Sequence, residues 1–292
     1  MMKTFAVHIN INLLLLFTVA GTSAQVEMNF DFQVPYGENE AVGKFVEING
    51  AKIYYEEYGK GEPLLLIHGN GSSIHDMGNQ IDYFRTKYRV IAADSRGHGR
   101  SELATDSLTY RQMAHDLEGL VRYLKLDSIN VIGWSDGGII GLMMGINGDV
   151  TIKKIVAMGA NLRPDTTAVY SWAPEDVKKE ESFVKEMIQK GDTTKNWNLL
   201  KQRIGLLLYQ PNISHAELGK ISCPVLIIAG DRDIIREEHT VEIYQNIKKA
   251  HLCIMPGETH FTPVSNAEKF NSIVERFIAE PFTRPDSDWT KW

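Results

Sequence analysis

The sequence lacks the residue patterns that usually hold metals, cofactors and nucleic acids. Its 292 residues include two cysteines and no H-E-x-x-H or C-x-x-C motif, which excludes the common zinc sites. No G-x-G-x-x-G follows a strand-like run, which excludes the usual dinucleotide-binding turn. Lysine and arginine total 31 against 37 acidic residues, and a net charge of −6 offers nucleic acid no basic surface. We therefore expect no metal, no cofactor and no nucleic-acid partner.

Long hydrophobic runs are also missing. The unbroken apolar run near the N-terminus, Leu13–Phe17, is far shorter than the roughly 20 residues that span a bilayer. Residues 1–24 instead combine Lys3, an apolar stretch from Ile9 to Ala20, and small residues before Gln25, the pattern of a secretory signal peptide. A buried N-terminal helix or an uncleaved anchor is the alternative. We predict cleavage after residue 24, export to the periplasm or beyond, and no stable membrane insertion.

The two cysteines each lie within an apolar, strand-like run. An oxidising compartment would allow Cys223 and Cys253 to pair. Buried, unpaired thiols that pack as small hydrophobic groups fit such runs better. The sequence therefore predicts two free thiols.

From residue 44 onward, short strand-like runs alternate with longer helical patterns. This alternation predicts βαβ units, and hence an α/β fold with a mostly parallel sheet covered by helices on both faces. Asn49-Gly50 separates the first two runs and favours a tight hairpin. The predicted strands are Phe45–Ile48, Lys52–Tyr58, Pro63–His68, Arg89–Ala93, Asn130–Gly133, Lys154–Met158, Val225–Ala229 and Leu252–Met255. The predicted helices lie near 76–87, 110–124, 137–147, 237–248 and 266–279.

Residues 163–222 interrupt the alternation. They contain no strand-like run but two helical patterns, roughly Pro174–Gln189 and Lys195–Tyr209. An ordinary surface excursion is the alternative, but 60 residues is long for a connection without a role. We therefore predict a helical cap at 163–222, inserted into a core formed by 25–162 and 223–292.

The most informative segment is Gly133-Trp-Ser135-Asp-Gly137. It fits G-x-S-x-G with a strand before it and a helix after it, the context of a nucleophile turn. The turn forces the serine into a strained backbone conformation, and side chains two positions away on either side would clash. Glycines at 137, 141 and 145 form one stripe along the helix, which predicts that this face lies close to the sheet. The alternative is a glycine-rich turn with an incidental serine.

A serine hydroxyl needs a base, and the base needs an acid to hold it. His260 follows the last strand on a loop at the edge where open α/β sheets build their sites. Between Ser135 and His260, Asp231 and Asp233 leave a strand at the same edge, and Asp165 is a weaker third option. We favour Asp233, because Asp231 sits at the turn itself, where an aspartate often bonds backbone.

Hydrolysis through a serine also needs donors for the developing negative charge. The backbone N–H of Asp136 begins the helix after the serine and supplies one donor. The loop His68-Gly-Asn70-Gly71 brings a second, which we assign to the N–H of Asn70. His68 is open to a different interpretation, as an anchor of that loop. We assign no chemistry to the loop from Asp94 to Ser101, and we interpret its His98 as structural.

Taken together, these motifs resemble the α/β-hydrolase-fold serine hydrolases. The resemblance runs from about residue 45 to 278 and rests on His-Gly-Asn-Gly, Asp-Ser-Arg-Gly-His-Gly-Arg-Ser, Gly-Trp-Ser-Asp-Gly-Gly, Gly-Asp-Arg-Asp and Gly-Glu-Thr-His, in the family's order. It supports Asp233 as the acid, because the family places it three residues after Gly230.

Within that family, Gly-Trp-Ser-Asp-Gly-Gly followed by Met158-Gly-Ala-Asn161 is similar to the valacyclovir hydrolase (biphenyl hydrolase-like) group. That group cleaves α-amino acid esters. The resemblance implies that Asp136 holds a substrate ammonium. We also predict Trp134, beside the serine, as a substrate-binding residue. The alternative for Asp136 is an acid that stabilises the start of a helix through the dipole.

We therefore predict a serine hydrolase that cleaves a small carboxylic ester through an acyl-enzyme on Ser135. Its partner is a small-molecule ester. Two alternatives remain: a carbon–carbon bond or lactone hydrolase with the same triad, and a non-catalytic binding protein of this fold. The sequence does not indicate an oligomeric state.

Overall fold

An eight-stranded sheet forms the centre of residues 30–291, the part of the chain that the computed structural model describes. The predicted signal peptide lies outside these residues. The sheet order is β1-β2-β4-β3-β5-β6-β7-β8; β1 and β2 are antiparallel to their neighbours, and the remaining pairs are parallel. The strands are β1 (Lys44–Ile48), β2 (Ala51–Tyr58), β3 (Glu62–Ile67), β4 (Tyr88–Ala93), β5 (Ile129–Trp134), β6 (Ile152–Met158), β7 (Val225–Arg232) and β8 (Ala250–Thr259). All eight predicted strands are confirmed.

The local sequence explains these strands. In the central strand β5 all six residues are buried, as a strand covered on both faces requires. The hairpin between β1 and β2 turns at Asn49 and Gly50, which have φ of 49° and 75°. Two positive φ values are what the tight hairpin turn needs, and asparagine and glycine accept them most readily.

Helices cover both faces of the sheet, as predicted. One apolar core contains buried side chains of α2, α3 and α7, and a second core on the other face contains those of α1 and α9. The short helix α8 was not predicted. The helices are α1 (Gly78–Phe84), α2 (Tyr110–Tyr123), α3 (Asp136–Asn147), α4 (Trp172–Gln189), α5 (Trp197–Tyr209), α6 (His215–Leu218), α7 (Glu237–Gln245), α8 (Thr262–Ser265) and α9 (Ala267–Ala279), with a 3₁₀ turn at Ile74–Met77.

The insertion between β6 and β7 is helical. It contains the two predicted helices, as α4 and α5, and the short α6. Helices α4 and α5 share a small apolar cluster of their own, made of Val177, Val184, Trp197 and Ile204. Because β6 and β7 are neighbours in the sheet, the chain leaves the core for the insertion and returns to the adjacent strand.

The two cysteines are unpaired, as predicted. Cys223 packs against one apolar core and Cys253 against the other, so the sheet separates them. Both are partly exposed rather than fully buried, which corrects that part of the prediction. Within residues 30–291, no helix is both long enough and apolar enough to cross a membrane.

Candidate active site

The turn between β5 and α3 has the strained geometry expected of a nucleophile. Ser135 has φ 57° and ψ −121°, a positive φ that a serine rarely adopts. A Cβ on Gly133 would overlap the backbone of Gly137, and one on Gly137 would overlap the carbonyl of Ile67. Both motif glycines are therefore required by backbone contacts. From residue 131 to residue 140, Ser135 alone is not buried, so the turn presents the hydroxyl outward.

The glycine stripe on α3 lies against the sheet, as predicted. A Cβ on Gly141 would sit 3.3 Å from the Val131 side chain, and one on Gly145 would sit 2.7 Å from that of Ile155. Larger residues would push α3 away from β5 and β6. The stripe therefore sets the distance between α3 and the sheet, and with it the position of the helix N-terminus next to Ser135.

A continuous hydrogen-bond chain connects the serine, the histidine and the acid. The Ser135 Oγ lies 2.9 Å from His260 Nε2, and His260 Nδ1 lies 2.7 Å from Asp233 Oδ1. Asp233 is fixed in turn because the same oxygen accepts from the N–H of Ile235 at 3.0 Å. His260 and Asp233 are both nearly buried, whereas Ser135 is reachable. In this arrangement His260 can take the serine proton while Asp233 holds the ring in one tautomer.

The structure separates the three candidate acids. Asp233 meets His260, whereas Asp231 accepts from the N–H of Gly257 at 2.8 Å and holds a turn. Asp165 is exposed and accepts from the N–H of Thr167, so it belongs to a local turn in the insertion. Asp231 thus has the backbone-bonding role that the sequence offered for it, and Asp165 has a similar role that the sequence did not assign.

Gly159, directly after β6, is a site residue to which the sequence analysis gave no role. It has φ 61°, and a Cβ there would lie 2.7 Å from the His260 ring and 3.3 Å from Asp233 Oδ2. Only a residue without a side chain lets the histidine and its acid meet at this point. The signal was present as the Gly159 that follows an apolar strand, but sequence alone does not say which loop lies opposite.

The side chain of Trp134, which the sequence predicts to bind substrate, packs against the loop that carries His260. Its side chain is 5% exposed and belongs to the apolar core on the α1 and α9 face. The indole Nε1–H donates to the carbonyl of His260 at 2.7 Å, and the ring meets Phe261 edge-on. Trp134 therefore supports the loop that carries His260, and its predicted contact with a substrate stays a prediction.

The loop after β3 lies against the serine. A Cβ on Gly69 would come within 3.2 Å of Ser135 Cβ, so the glycine permits close approach. The backbone N–H groups of Asn70 and Asp136, the two predicted donors, have no acceptor within residues 30–291. We call residues 69–71 the oxyanion loop, since a substrate oxygen placed between these two groups would find both free.

His68 anchors the oxyanion loop, as its alternative interpretation proposed. One ring nitrogen contacts the carbonyl of Gly69 at 2.8 Å, and the other accepts from the N–H of Ser95 at 3.0 Å. Burial lowers the pKa of His68 to about 4, so the ring is neutral near pH 7 and can make both contacts. His98 is also buried and contacts the carbonyl of Arg96, consistent with a structural role.

Asp136 directly follows the serine in the chain. It is the first residue of α3, where a negative charge is favoured by the helix dipole. Its oxygens accept from the hydroxyl of Tyr110 at 2.7 Å and from the side-chain amide of Asn70 at 2.9 Å. Burial raises the pKa of the Asp136 carboxyl to about 6, while those two hydrogen bonds and nearby His260 oppose the rise. Near pH 7 it is therefore mostly a carboxylate in a dry environment.

The described residues contain one group that could hold a metal ion. His115, Glu118 and Asp149 each place a ligand atom within 4.8 Å of the others. The Glu118 carboxylate already has Asn147 and His115 as partners. Asp149 follows the C-terminus of the 12-residue helix α3, about 18 Å from Ser135 at its N-terminus. This group has no part in chemistry at the serine.

Comparison with known proteins agrees with this geometry. Residues 62–194 match the family model described as alpha/beta hydrolase fold. Human serine hydrolase BPHL is 28% identical over 251 residues, which cover 80% of this chain and 85% of that protein. A 2-hydroxy-6-oxo-6-(2'-aminophenyl)hexa-2,4-dienoic acid hydrolase of Metapseudomonas resinovorans is 25% identical over 272 residues, with coverage of 83% and 92%.

Solved structures give the same result for the fold. The enol-lactonase from Burkholderia xenovorans superposes with a TM-score of 0.67 at 20% identity, covering 81% of this chain and all of that one. The predicted fold and the predicted resemblance are both confirmed. The chain has the α/β-hydrolase fold, and its similarity to the biphenyl hydrolase-like serine hydrolases supports a hydrolase activity.

Proposed function

We propose that this hydrolase cleaves a small carboxylic ester through an acyl-enzyme on Ser135. The observation that carries the proposal is the hydrogen-bond chain from Ser135 through His260 to Asp233. An intact chain of this kind, beside two unpaired backbone donors, disfavours a protein that only binds ligands. The machinery is complete without a metal or an organic cofactor.

The steps follow from the positions of these groups. The Ser135 Oγ attacks the ester carbon while His260 Nε2 takes its proton, and the N–H groups of Asn70 and Asp136 stabilise the oxyanion. Collapse breaks the ester bond, and the alcohol leaves with the proton from His260. Water then attacks the acyl-serine with His260 as base, which releases the acid and restores the hydroxyl.

A fluorophosphonate probe tests the nucleophile directly. The purified protein should form a covalent adduct that peptide mass spectrometry assigns to Ser135, and Ser135→Ala should remain unlabelled. The same substitution should lower hydrolysis of p-nitrophenyl butyrate by about a millionfold, the scale of triad removal in other serine hydrolases. Ester turnover that survives in Ser135→Ala would refute the proposal.

Hydrolysis of a carbon–carbon bond or a lactone is the second candidate. It is favoured by relatives whose names describe cleavage of dienoic acids and by the likeness to an enol-lactonase. The same acyl-enzyme serves both reactions, and only the leaving group differs. The values of kcat/KM for simple esters, lactones and vinylogous diketones should rank the three reactions. Turnover of the diketones alone would favour carbon–carbon cleavage over ester hydrolysis.

An α-amino acid ester is the finer substrate proposal. It comes from the resemblance to the biphenyl hydrolase-like group, and the Asp136 carboxylate is the group available to an ammonium. Each carboxylate oxygen already accepts one hydrogen bond, and each has a second lone pair for an ammonium. A p-nitrophenyl ester of valine should then be cleaved with higher kcat/KM than its des-amino analogue. Equal kcat/KM values for the two esters would show that the enzyme does not recognise the ammonium group.

We propose further that the enzyme acts outside the cytoplasm after removal of residues 1–24. The support is the composition of that segment alone. Expression with the full N-terminus in a bacterial host should give a periplasmic or secreted protein that begins at Gln25 by mass spectrometry. Recovery of the uncleaved chain from the cytoplasm would contradict this.

A further inference from the structure

Behind the oxyanion loop runs a line of hydrogen bonds that the triad does not use. The Tyr110 hydroxyl donates to Asp136 Oδ1 at 2.7 Å, and the Asn70 side-chain amide donates to Asp136 Oδ2 at 2.9 Å. Tyr110, Asp136 and Asn70 are 1%, 3% and 6% exposed. These three groups therefore interact where water does not compete, and their bonds are stronger than surface bonds.

The line connects the two residues that supply the oxyanion donors. Asn70 belongs to the oxyanion loop, and Asp136 begins α3 immediately after the nucleophile. Their backbone N–H groups must hold a fixed separation to bind one oxygen, since such donors act only when preorganised. The side-chain bond between Asn70 and Asp136 spans the same two chain segments and limits how far they can move apart.

The chemistry of Asp136 suits a link of this kind. A carboxylate accepts only, so it can receive the hydroxyl of Tyr110 and the amide of Asn70 at the same time. An asparagine at position 136 would place its NH2 group, a donor, opposite either the Tyr110 hydroxyl or the Asn70 amide, which also donate. The Tyr110 bond also restrains the Asp136 side chain, which would otherwise be free to rotate away from the loop.

The line continues into the insertion. The Asn70 amide also donates to the main-chain carbonyl of Arg203, on α5, at 3.1 Å. The Arg203 side chain is bonded to the core as well, because its Nε donates to the carbonyl of Gly97 at 2.8 Å. Both N–H groups of the Asn70 side-chain amide therefore have acceptors, one on α3 and one on α5.

We propose that Tyr110, Asp136 and Asn70 form a positioning unit that aligns the two oxyanion donors and makes that alignment depend on the docking of α5. The proposal rests on the proposed ester hydrolysis at Ser135. Tyr110 is a positioning residue in it, since it touches Asp136 and not the reacting atoms. The unit has a role for every substrate of this site, with or without an ammonium.

Steady-state kinetics with p-nitrophenyl butyrate, an ester without an ammonium, tests this unit. Asn70→Ala keeps the backbone N–H but loses both side-chain bonds, and kcat should fall about tenfold to a hundredfold with little change in KM. Tyr110→Phe removes a single oxygen and should lower kcat several-fold. Tyr123→Phe, an exposed tyrosine on the same helix, is the matched control and should behave as wild type.

A double-substitution cycle separates one unit from independent effects. Asn70→Ala and Asp136→Ala each break the bond between them, so the double variant should lose little more kcat than the worse single variant. Losses that multiply would overturn the proposal. A raised KM with unchanged kcat would also overturn it, because it would mean that these side chains bind the ester in its ground state.

The remaining outcomes are also decisive. If wild type and Ser135→Ala are equally inactive on esters, the proposed function fails and the positioning unit fails with it. If wild type is active and both Asn70→Ala and Tyr110→Phe keep full kcat, only the positioning unit fails. Thermal unfolding of each variant identifies a loss of fold, and Tyr110→Phe, which keeps the side-chain shape, carries the test if Asn70→Ala does not fold.

Discussion

The turn that presents Ser135 and the helical insertion at 163–222 are built in opposite ways. Around the turn every residue from 131 to 140 except the serine is buried, and glycines fit directly against backbone. In α4, by contrast, only Val177 and Val184 are buried. The insertion has a small apolar cluster between α4 and α5, and it joins the main core through Leu206 and Leu218. The turn has almost no freedom to vary, whereas the exposed face of α4 can change with little effect on stability.

The two regions therefore differ in what they contribute to the site. The rigid turn holds the groups whose distances decide the rate, since catalytic geometry tolerates little error. The insertion contributes to those groups through α5, because the Asn70 amide donates to the main-chain carbonyl of Arg203. The turn is therefore the rigid part of the site, and the exposed face of the insertion is the part that tolerates substitution. Four experiments test this division.

The largest effect should come from the acid of the triad. Asp233→Asn keeps the size of the side chain but removes the charge that fixes the His260 tautomer, and kcat should fall by about 10⁴-fold. Asp231→Asn is the matched control, because it alters an equivalent carboxylate that holds only the turn at Gly257. Similar losses in both variants would mean that the two aspartates are not separated in function.

Two glycines of positive φ should behave differently in the two regions. Gly159 has φ 61° with His260 directly opposite, whereas Gly191 in the insertion has φ 67° with nothing within 4 Å. Gly159→Ala should lower kcat by about a hundredfold or more, because the methyl group displaces the histidine. Gly191→Ala should leave kcat unchanged and cost only the backbone strain, about 1 kcal/mol of stability. Equal kcat in the two variants would contradict the rigid geometry of the triad.

The buried His68 should make stability depend on pH. Its pKa is about 4 when folded against 6.5 when exposed, so the unfolded chain binds more protons between these values. The free energy of unfolding should therefore fall as pH drops from 6.5 to 4, with His68 contributing about 3 kcal/mol at most. Asp94 and Asp136, whose pKa burial raises to about 7 and about 6, act with the opposite sign.

Comparison with His68→Gln isolates this contribution. Urea unfolding at pH 7 and pH 5 should show a smaller loss of stability on acidification in the variant than in wild type. Asp94 and Asp136 are present in both proteins, so their effects cancel in the difference. An identical pH dependence would show that His68 is not held neutral in the folded protein.

The smallest effect should come from the apolar cluster of the insertion. Val184→Ala should cost roughly 1 kcal/mol, because an exposed helix can settle into the gap, whereas Val156→Ala in β6 should cost about twice as much. The insertion variant should also be cut faster between residues 163 and 222 in limited proteolysis, with the core intact. Faster cleavage in the core instead would mean that the two regions do not differ in rigidity.

Sequence reasoning was most reliable where backbone geometry restricts the residue. All eight strands and the role of Gly133 and Gly137 followed from local patterns, since a glycine at a clash is visible in the chain itself. It did not show that the side chain of Trp134, predicted to bind substrate, packs in the apolar core, and its contact with substrate stays a prediction. The sequence does not show whether the ring of a tryptophan beside a nucleophile faces the substrate or the core.

By itself the sequence determined the α/β alternation, the strained serine, and the order in which nucleophile, acid and base follow one another. The first two depend on residues close together in the chain, and the third follows from the positions of three motifs along it. Only the tertiary structure placed Gly159 behind His260, assigned the choice between Asp231 and Asp233 by contact, and brought Tyr110 and Asn70 to opposite oxygens of Asp136. Those contacts join residues 26 to 101 positions apart in the chain, from Tyr110 and Asp136 to Gly159 and His260. Such partners are chosen by the packing of whole elements, and no local pattern records that choice.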